Sequence, residues 1–174
     1  MDSVPDDLAR EFEIQFFEDA SGSKPVLDWI KNELSPTKRR ALGTALRRIL
    51  QVHGAEVCRG IWGKKVHVEG IYEFRLRMTG REVINLEAEI NAISGAEARA
   101  RLGLDASQDI LLRVFFHPHG DKLLLLLGGY DKGKDPSAKR QQAEIKTALR
   151  RLKGWKQAQQ VARKRAQRKG RPAP

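Results

Sequence analysis

Ile71-Tyr72-Glu73-Phe74-Arg75-Leu76-Arg77-Met78 decides how this chain is read. From Tyr72 onward it alternates apolar and polar side chains, the period of a strand with one buried face. Tyr72, Phe74, Leu76 and Met78 take one face, and Glu73, Arg75 and Arg77 take the other. A second run, Ile110 to His117, carries Arg113 in an otherwise apolar segment, and a third, Leu123 to Leu127, is apolar throughout. An all-apolar strand has to be covered on both faces. If the first two strands are neighbours, Arg75, Arg77 and Arg113 share a face. Guanidiniums gathered with too few carboxylates are suited to an anion, phosphate above all. The plainer alternative is a solvated, solubilising strand face.

Working outward, Glu11 to Asp19 alternates with Phe12, Ile14 and Phe16 on one side and is expected to enter the same sheet. Ser23 and Pro25 supply helix-start chemistry for a first helix. A second runs from Thr37 to about Val52 and stops at Gly54. The two form a hairpin on the sheet. Lys65 to Val68 reads as a short strand leading into the opening stretch. Arg81 to Leu104 is alanine-rich and reads as an inserted arm, partly helical, within an insert spanning about 81–109. A long helix starts at Ser137, with Ile145, Ala148, Leu149, Leu152 and Trp155 as its buried stripe. The expected fold is therefore α+β: a small antiparallel sheet flanked by an N-terminal helical hairpin and a C-terminal helix. Residues 1–10 are expected to be a flexible lead, 11–155 the folded domain, and 156–174 a basic tail.

The chain has 174 residues and a formal net charge of +11. From Lys153 onward Lys153, Lys156, Arg163, Lys164, Arg165, Arg168, Lys169 and Arg171 occur with no acidic residue among them. Such a run favours a polyanionic partner. No apolar run approaches the ~20 residues of a membrane span, and 1–10 lack the apolar segment of a signal peptide. A cytoplasmic location without membrane association is expected. The single cysteine, Cys58, excludes an internal disulfide and a cysteine-cluster metal site. Acidic residues are not clustered, no His-x-x-x-His spacing occurs, and Gly128-Gly129 lacks a nucleotide-loop context. Neither metal nor cofactor is expected.

Several segments taken in order resemble RelE/HigB-type toxins of the phage-derived branch. They are Phe16-Phe17-Glu18-Asp19 with Pro25 to Ile30, Gly70-Ile71-Tyr72-Glu73-Phe74-Arg75, and Leu112-Arg113-Val114-Phe115-Phe116. Leu124 to Tyr130 follows, then a basic loop, Pro136, Glu144-Ile145 and Ala148-Leu149-Arg150-Arg151. The insert, the Lys132-Gly133-Lys134 loop in place of a Lys-Lys pair, and the basic tail depart from that pattern.

The resemblance implies a RelE-like, microbial-RNase-like fold and an mRNA interferase. Such an endoribonuclease cuts transcripts on the ribosome and is held in check by a cognate antitoxin, here expected to be of helix-turn-helix type. Metal-independent RNA cleavage needs a base for the ribose 2′-OH, a cationic clamp for the phosphorane and an acid for the departing 5′-oxygen. Arg75 and Arg113 are the expected clamp. Lys132 or Lys134 would add charge or serve as base. Glu73 is either a base or the salt-bridge partner of an arginine. Arg77, His117, Tyr130, Lys153 and Lys156 are candidate RNA contacts. For His117 and His119 an acid–base role stands beside that of plain surface histidines, and for Tyr130 base stacking stands beside core packing. His67 has no assigned role. Two other classes stay open: a basic RNA- or ribosome-binding protein that cuts nothing, and a module whose basic groove receives an acidic protein segment.

Overall fold

The computed structural model describes residues 11–66 and 68–170. The expected lead at 1–10, His67 and the last residues of the tail lie outside them. The strands are β1 (Glu13–Phe16), β2 (Gly63–Lys65), β3 (Tyr72–Thr79), β4 (Asp109–His119) and β5 (Leu123–Asp131). They form one five-stranded sheet in the order β1-β5-β4-β3-β2. β2, β3, β4 and β5 pair antiparallel, but β1 runs parallel to β5, with Glu13 opposite Leu123 and Phe16 opposite Leu126. The sheet is thus mixed rather than antiparallel. Alternation carries no strand direction, and β1 meets its partner only after most of the chain has crossed back, as a parallel pair requires.

Two layers cover the sheet. Helices α1 (Pro25–Asn32), α2 (Pro36–Ala45), a π-helical turn at Leu46–Leu50, α3 (Gln51–His53) and a 3-10 turn at Gly54–Arg59 lie on one face. There Val26, Trp29, Leu42 and Leu50 pack with Phe74, Leu76, Leu112, Val114 and Leu124. The first helix is capped at Lys24, not Ser23, whose hydroxyl instead reaches Asp28. α2 is capped by Ser35, which accepts from the Lys38 amide. Gly54 closes the run with φ +56°, and a side chain there would strike the Phe12 ring.

Helix α6 (Ala138–Lys169, 32 residues) covers the opposite face, where Ile145, Ala148, Leu152 and Trp155 pack with Ile71, Phe115, Leu125, Leu127 and Tyr130. Beyond Trp155 it continues to Lys169 with almost every side chain exposed, so a cationic helix extends about 20 Å past its last buried residue.

The expected strand over Lys65–Val68 is shorter and earlier, Gly63–Lys65. The Val66 amide donates to Ile71 O and the Ile71 amide to Val68 O, which closes a turn where pairing was expected. The insert, expected as a partly helical arm, is two packed helices: α4 (Gly80–Asn91) and α5 (Gly95–Leu102). Thr79 and Glu82 form a reciprocal capping box at its start, a signal legible as Thr79-Gly80-Arg81-Glu82. Val83, Ile84 and Ala98 join the first core cluster. Buried Glu87 is paired with Arg40 of α2, with Arg101 3.9 Å away. The insert is therefore fastened to the helical layer.

Candidate functional site

Strand β3 places Glu73 and Arg75 on the α6 face, and β4 brings Arg113 directly opposite Arg75. On the far side of β4, Tyr130 of β5 is the partner of Arg113. Strict alternation from Leu125 and Leu127 would send Tyr130 to the other face. A β-bulge, in which Phe115 and Phe116 oppose Gly128 and Leu126, resets the parity. Gly129 and Asp131 consequently face the helical layer, where Trp29 covers Gly129 and Lys38 Nζ meets Asp131 Oδ2 at 2.5 Å. That partly buried pair anchors the start of the lysine loop, because the Asp131 carboxylate also accepts from the Gly133 amide.

Glu73 is the centre of the site. It is 1% exposed, and its Oε1 lies 2.9 Å from Arg75 Nε and 3.1 Å from Arg113 Nε. Its Oε2 accepts from Gln141 Nε2 of α6 at 2.8 Å. Both oxygens are thus engaged, so Glu73 is the salt-bridge partner rather than a base with a free lone pair at the surface. Arg113 is 8% exposed; its Nε meets Glu73 as an ion pair without hydrogen-bond geometry, and its Nη1 donates to Leu112 O. Burial lowers its pKa, and the Glu73 charge opposes that shift. The expected two-arginine clamp is therefore divided: Arg113 is a buried anchor, because its strand position lies under the start of α6. Arg75, about one-third exposed, spends Nε on Glu73 and keeps the outer side of its guanidinium toward solvent. Arg77 is exposed one row further along.

The Lys132 amide donates to Leu111 O, and Leu111 is the register partner of Arg77. The Lys132-Gly133-Lys134 loop thus begins in the Arg77 row, its backbone about 10 Å from that of Arg77. Lys132 is half-buried and Lys134 exposed.

Other expected contacts are not assembled there. Tyr130 is 1% exposed, stacks on Phe115 and is covered by the Arg140 guanidinium, so no base can stack on it as it stands. Its buried hydroxyl has no hydrogen-bond partner among the described residues. Burial, and then the negative charge of Glu73, raise the phenol's pKa and keep its proton on. His117 lies about 13 Å along the strand from Arg113 and donates from Nδ1 to Gly70 O at 2.7 Å. It is a structural histidine, and burial depresses its pKa. His119 packs edge-on against Trp155. Lys153 and Lys156 are exposed, but helix rise sets Lys156 roughly 20 Å beyond Gln141. They belong to the projecting helix, not to the arginine cluster. Cys58 is half-buried, with burial pushing its thiol up to about 11.

Gln141 and Arg140 carry no signal in the sequence that marks them for the site. Gln141 does precede Ile145 by one helical turn on the buried stripe, a spacing that could draw attention to it. Trp62 reads in sequence only as a loop residue. Among the described residues, no three His, Cys, Asp or Glu side chains gather as metal ligands would, and no helix is long and apolar enough to cross a membrane. Comparison with family models, curated proteins and solved structures returned no match.

Proposed function

We propose that this chain is a metal-independent endoribonuclease of the RelE/HigB kind, the toxin of a toxin–antitoxin pair acting on mRNA at the ribosome. The observation that carries this reading is Arg75. A buried carboxylate holds its Nε while its outer guanidinium edge stays open, beside exposed Arg77 and the Lys132–Lys134 loop. Such a side chain is pre-oriented and can meet a phosphate without first being ordered, which is what electrostatic stabilisation of a phosphorane requires. The ordered resemblance in sequence and the placement of the lysine loop in the Arg77 row support the same reading.

In this mechanism the ribose 2′-oxygen bonds to the adjacent phosphorus as the bond to the 5′-oxygen breaks. Arg75 and Arg77 carry the charge that develops on the non-bridging oxygens. A lysine of the loop in its neutral amine form takes the 2′-OH proton and becomes an ammonium, and water donates a proton to the departing 5′-oxygen. Arg113, Glu73 and Gln141 act by holding Arg75. The antitoxin would silence the chain by covering Arg75 and the loop, and hydrogen exchange with and without it would show protection over 71–77 and 130–136. Protection confined to the insert would set that mode of inhibition aside.

The test is incubation of the purified chain with RNA in the presence of a chelator, with and without ribosomes, followed by analysis of product ends. Fragments ending in 2′,3′-cyclic phosphate are expected. Binding without any cut would favour the non-catalytic RNA-binding reading.

A further inference from the structure

Beside Arg75 the sheet edge is open. β2 pairs with β3 only as far as Phe74, and the Arg75 amide makes the last link, to Trp62 O at 2.8 Å. In an antiparallel strand the N–H and C=O of one residue point to the same side, and residues two apart share it. The N–H and C=O of Arg77 therefore face this edge. Insert helix α4 stands across from it, and the space between is a groove of about 730 Å³, a size suited to a small ligand.

The two sides of the groove differ in chemistry. Trp62 and Met78 give apolar surface next to Arg75 and Arg77, while Leu86, Glu82 and Glu89 come from α4. Trp62 is half-buried, stacked at 6.3 Å on Phe74, so one ring face is braced while part of the ring stays accessible. Glu82 uses Oε2 to cap its own helix through Thr79, and Oε1 takes no hydrogen bond among the described residues. An acidic peptide would suit the arginines and be repelled by the carboxylates of the opposite wall. A nucleotide fits both sides: its phosphate is anionic, its base is neutral and flat, and an exocyclic amino group would give a glutamate a donor.

We propose that this groove is a nucleoside subsite. It would take one unpaired RNA nucleotide adjoining the phosphate at Arg75, with its base stacked on Trp62 and its exocyclic amino group toward Glu82. The proposal rests on the ribonuclease reading for the direction of the strand, but its binding event does not depend on cleavage. It also gives the insert a role: α4 is the wall that turns an open sheet edge into a pocket.

The experiment uses the full chain and 2′-fluoro tetranucleotides, which lack the attacking hydroxyl. Trp29 and Trp155 are buried, so titration with tetracytidylate should quench chiefly Trp62 emission. Trp62→Phe should lose that quenching yet bind within about threefold of wild type. Trp62→Ala should weaken binding roughly 5- to 100-fold, and tetrauridylate should bind at least about threefold more weakly than tetracytidylate. If Trp62→Ala fails to fold, Leu86→Glu, which adds a carboxylate to the groove, should weaken binding likewise. Unchanged affinity in the folded Trp62→Ala or Leu86→Glu chain would overturn the subsite, as would equal affinity for the two tetranucleotides. So would displacement of tetracytidylate by an equimolar acidic peptide. A chain that binds with Trp62 quenched but cuts no RNA would sink the nuclease and keep the subsite. Intact cleavage with Trp62 indifferent would do the reverse.

Discussion

Arg75 and Arg113 are register partners on adjacent strands, and both close on the same oxygen of Glu73. Two like charges are tolerated at that spacing because one buried carboxylate lies between them and Gln141 satisfies its other oxygen. The arrangement separates two arginines that look alike in sequence. The outer one can meet a ligand, and the inner one keeps the outer one in place.

Substitution should therefore split the pair. Arg75→Ala is expected to lower RNA cleavage by about 100-fold or more while the far-UV spectrum stays unchanged. Arg113→Ala should lower thermal stability as well as activity, since it strips a partner from a buried charge. A folded Arg75→Ala chain that cuts RNA at the wild-type rate would remove Arg75 from the site.

Glu73→Ala leaves two arginines facing each other without their counter-charge. A loss of roughly 3–5 kcal/mol in unfolding free energy is expected from breaking such a buried pair, read by urea denaturation. A loss well under about 1 kcal/mol would mean that the network is largely solvated.

Acid should weaken the fold through His117. Burial holds its folded-state pKa below the ordinary 6.5, so the unfolded chain binds the proton more readily. Stability from this site is complete above about pH 6.5 and is lost as pH falls from there toward the folded-state value. The Tm should drop on acidification across that interval, and less in His117→Asn. Neighbouring Lys156 and His119 work in the same direction, and the hydrogen bond to Gly70 O opposes the shift without cancelling it. An equal drop in the variant would place the effect elsewhere.

Gly129 is packed where no side chain fits, because an added Cβ would come within 2.4 Å of the Trp29 ring. Gly129→Ala should cost roughly 1–3 kcal/mol, as overpacking usually does. Thermal melts of Gly129→Ala and Gly154→Ala make the comparison, since Gly154 has open space around its Cβ position.

Removal of the chain after Trp155 should leave the Tm nearly unchanged, because the buried stripe of α6 ends at that residue. The same truncation should flatten the salt dependence of RNA binding, lowering the slope by about 0.7 for each phosphate that is no longer neutralised. An unaltered slope would show a helix that is only solvated.

Period-two alternation is enough to assign Tyr72 to Met78 to a strand and to put Glu73, Arg75 and Arg77 on one face. The apolar spacing of Ile145, Ala148, Leu152 and Trp155 is enough to identify the buried stripe of α6. These are local periodicities, and they survive folding because each element must bury one face. Relations between distant segments are decided elsewhere. The parallel direction of β1 rests on a partner met only at Leu123. The bulge beside Phe115 moves Tyr130 to the Arg113 face, and Gly128-Gly129 hints at a bulge without fixing which face Tyr130 takes. The burial of Arg113 and the choice of Glu73 as an anchor depend on Gln141 arriving from α6, and the groove at Trp62 exists because α4 packs beside an unpaired edge. Sequence pattern records which face a residue takes, whereas register, bulges and long-range packing decide what that face meets.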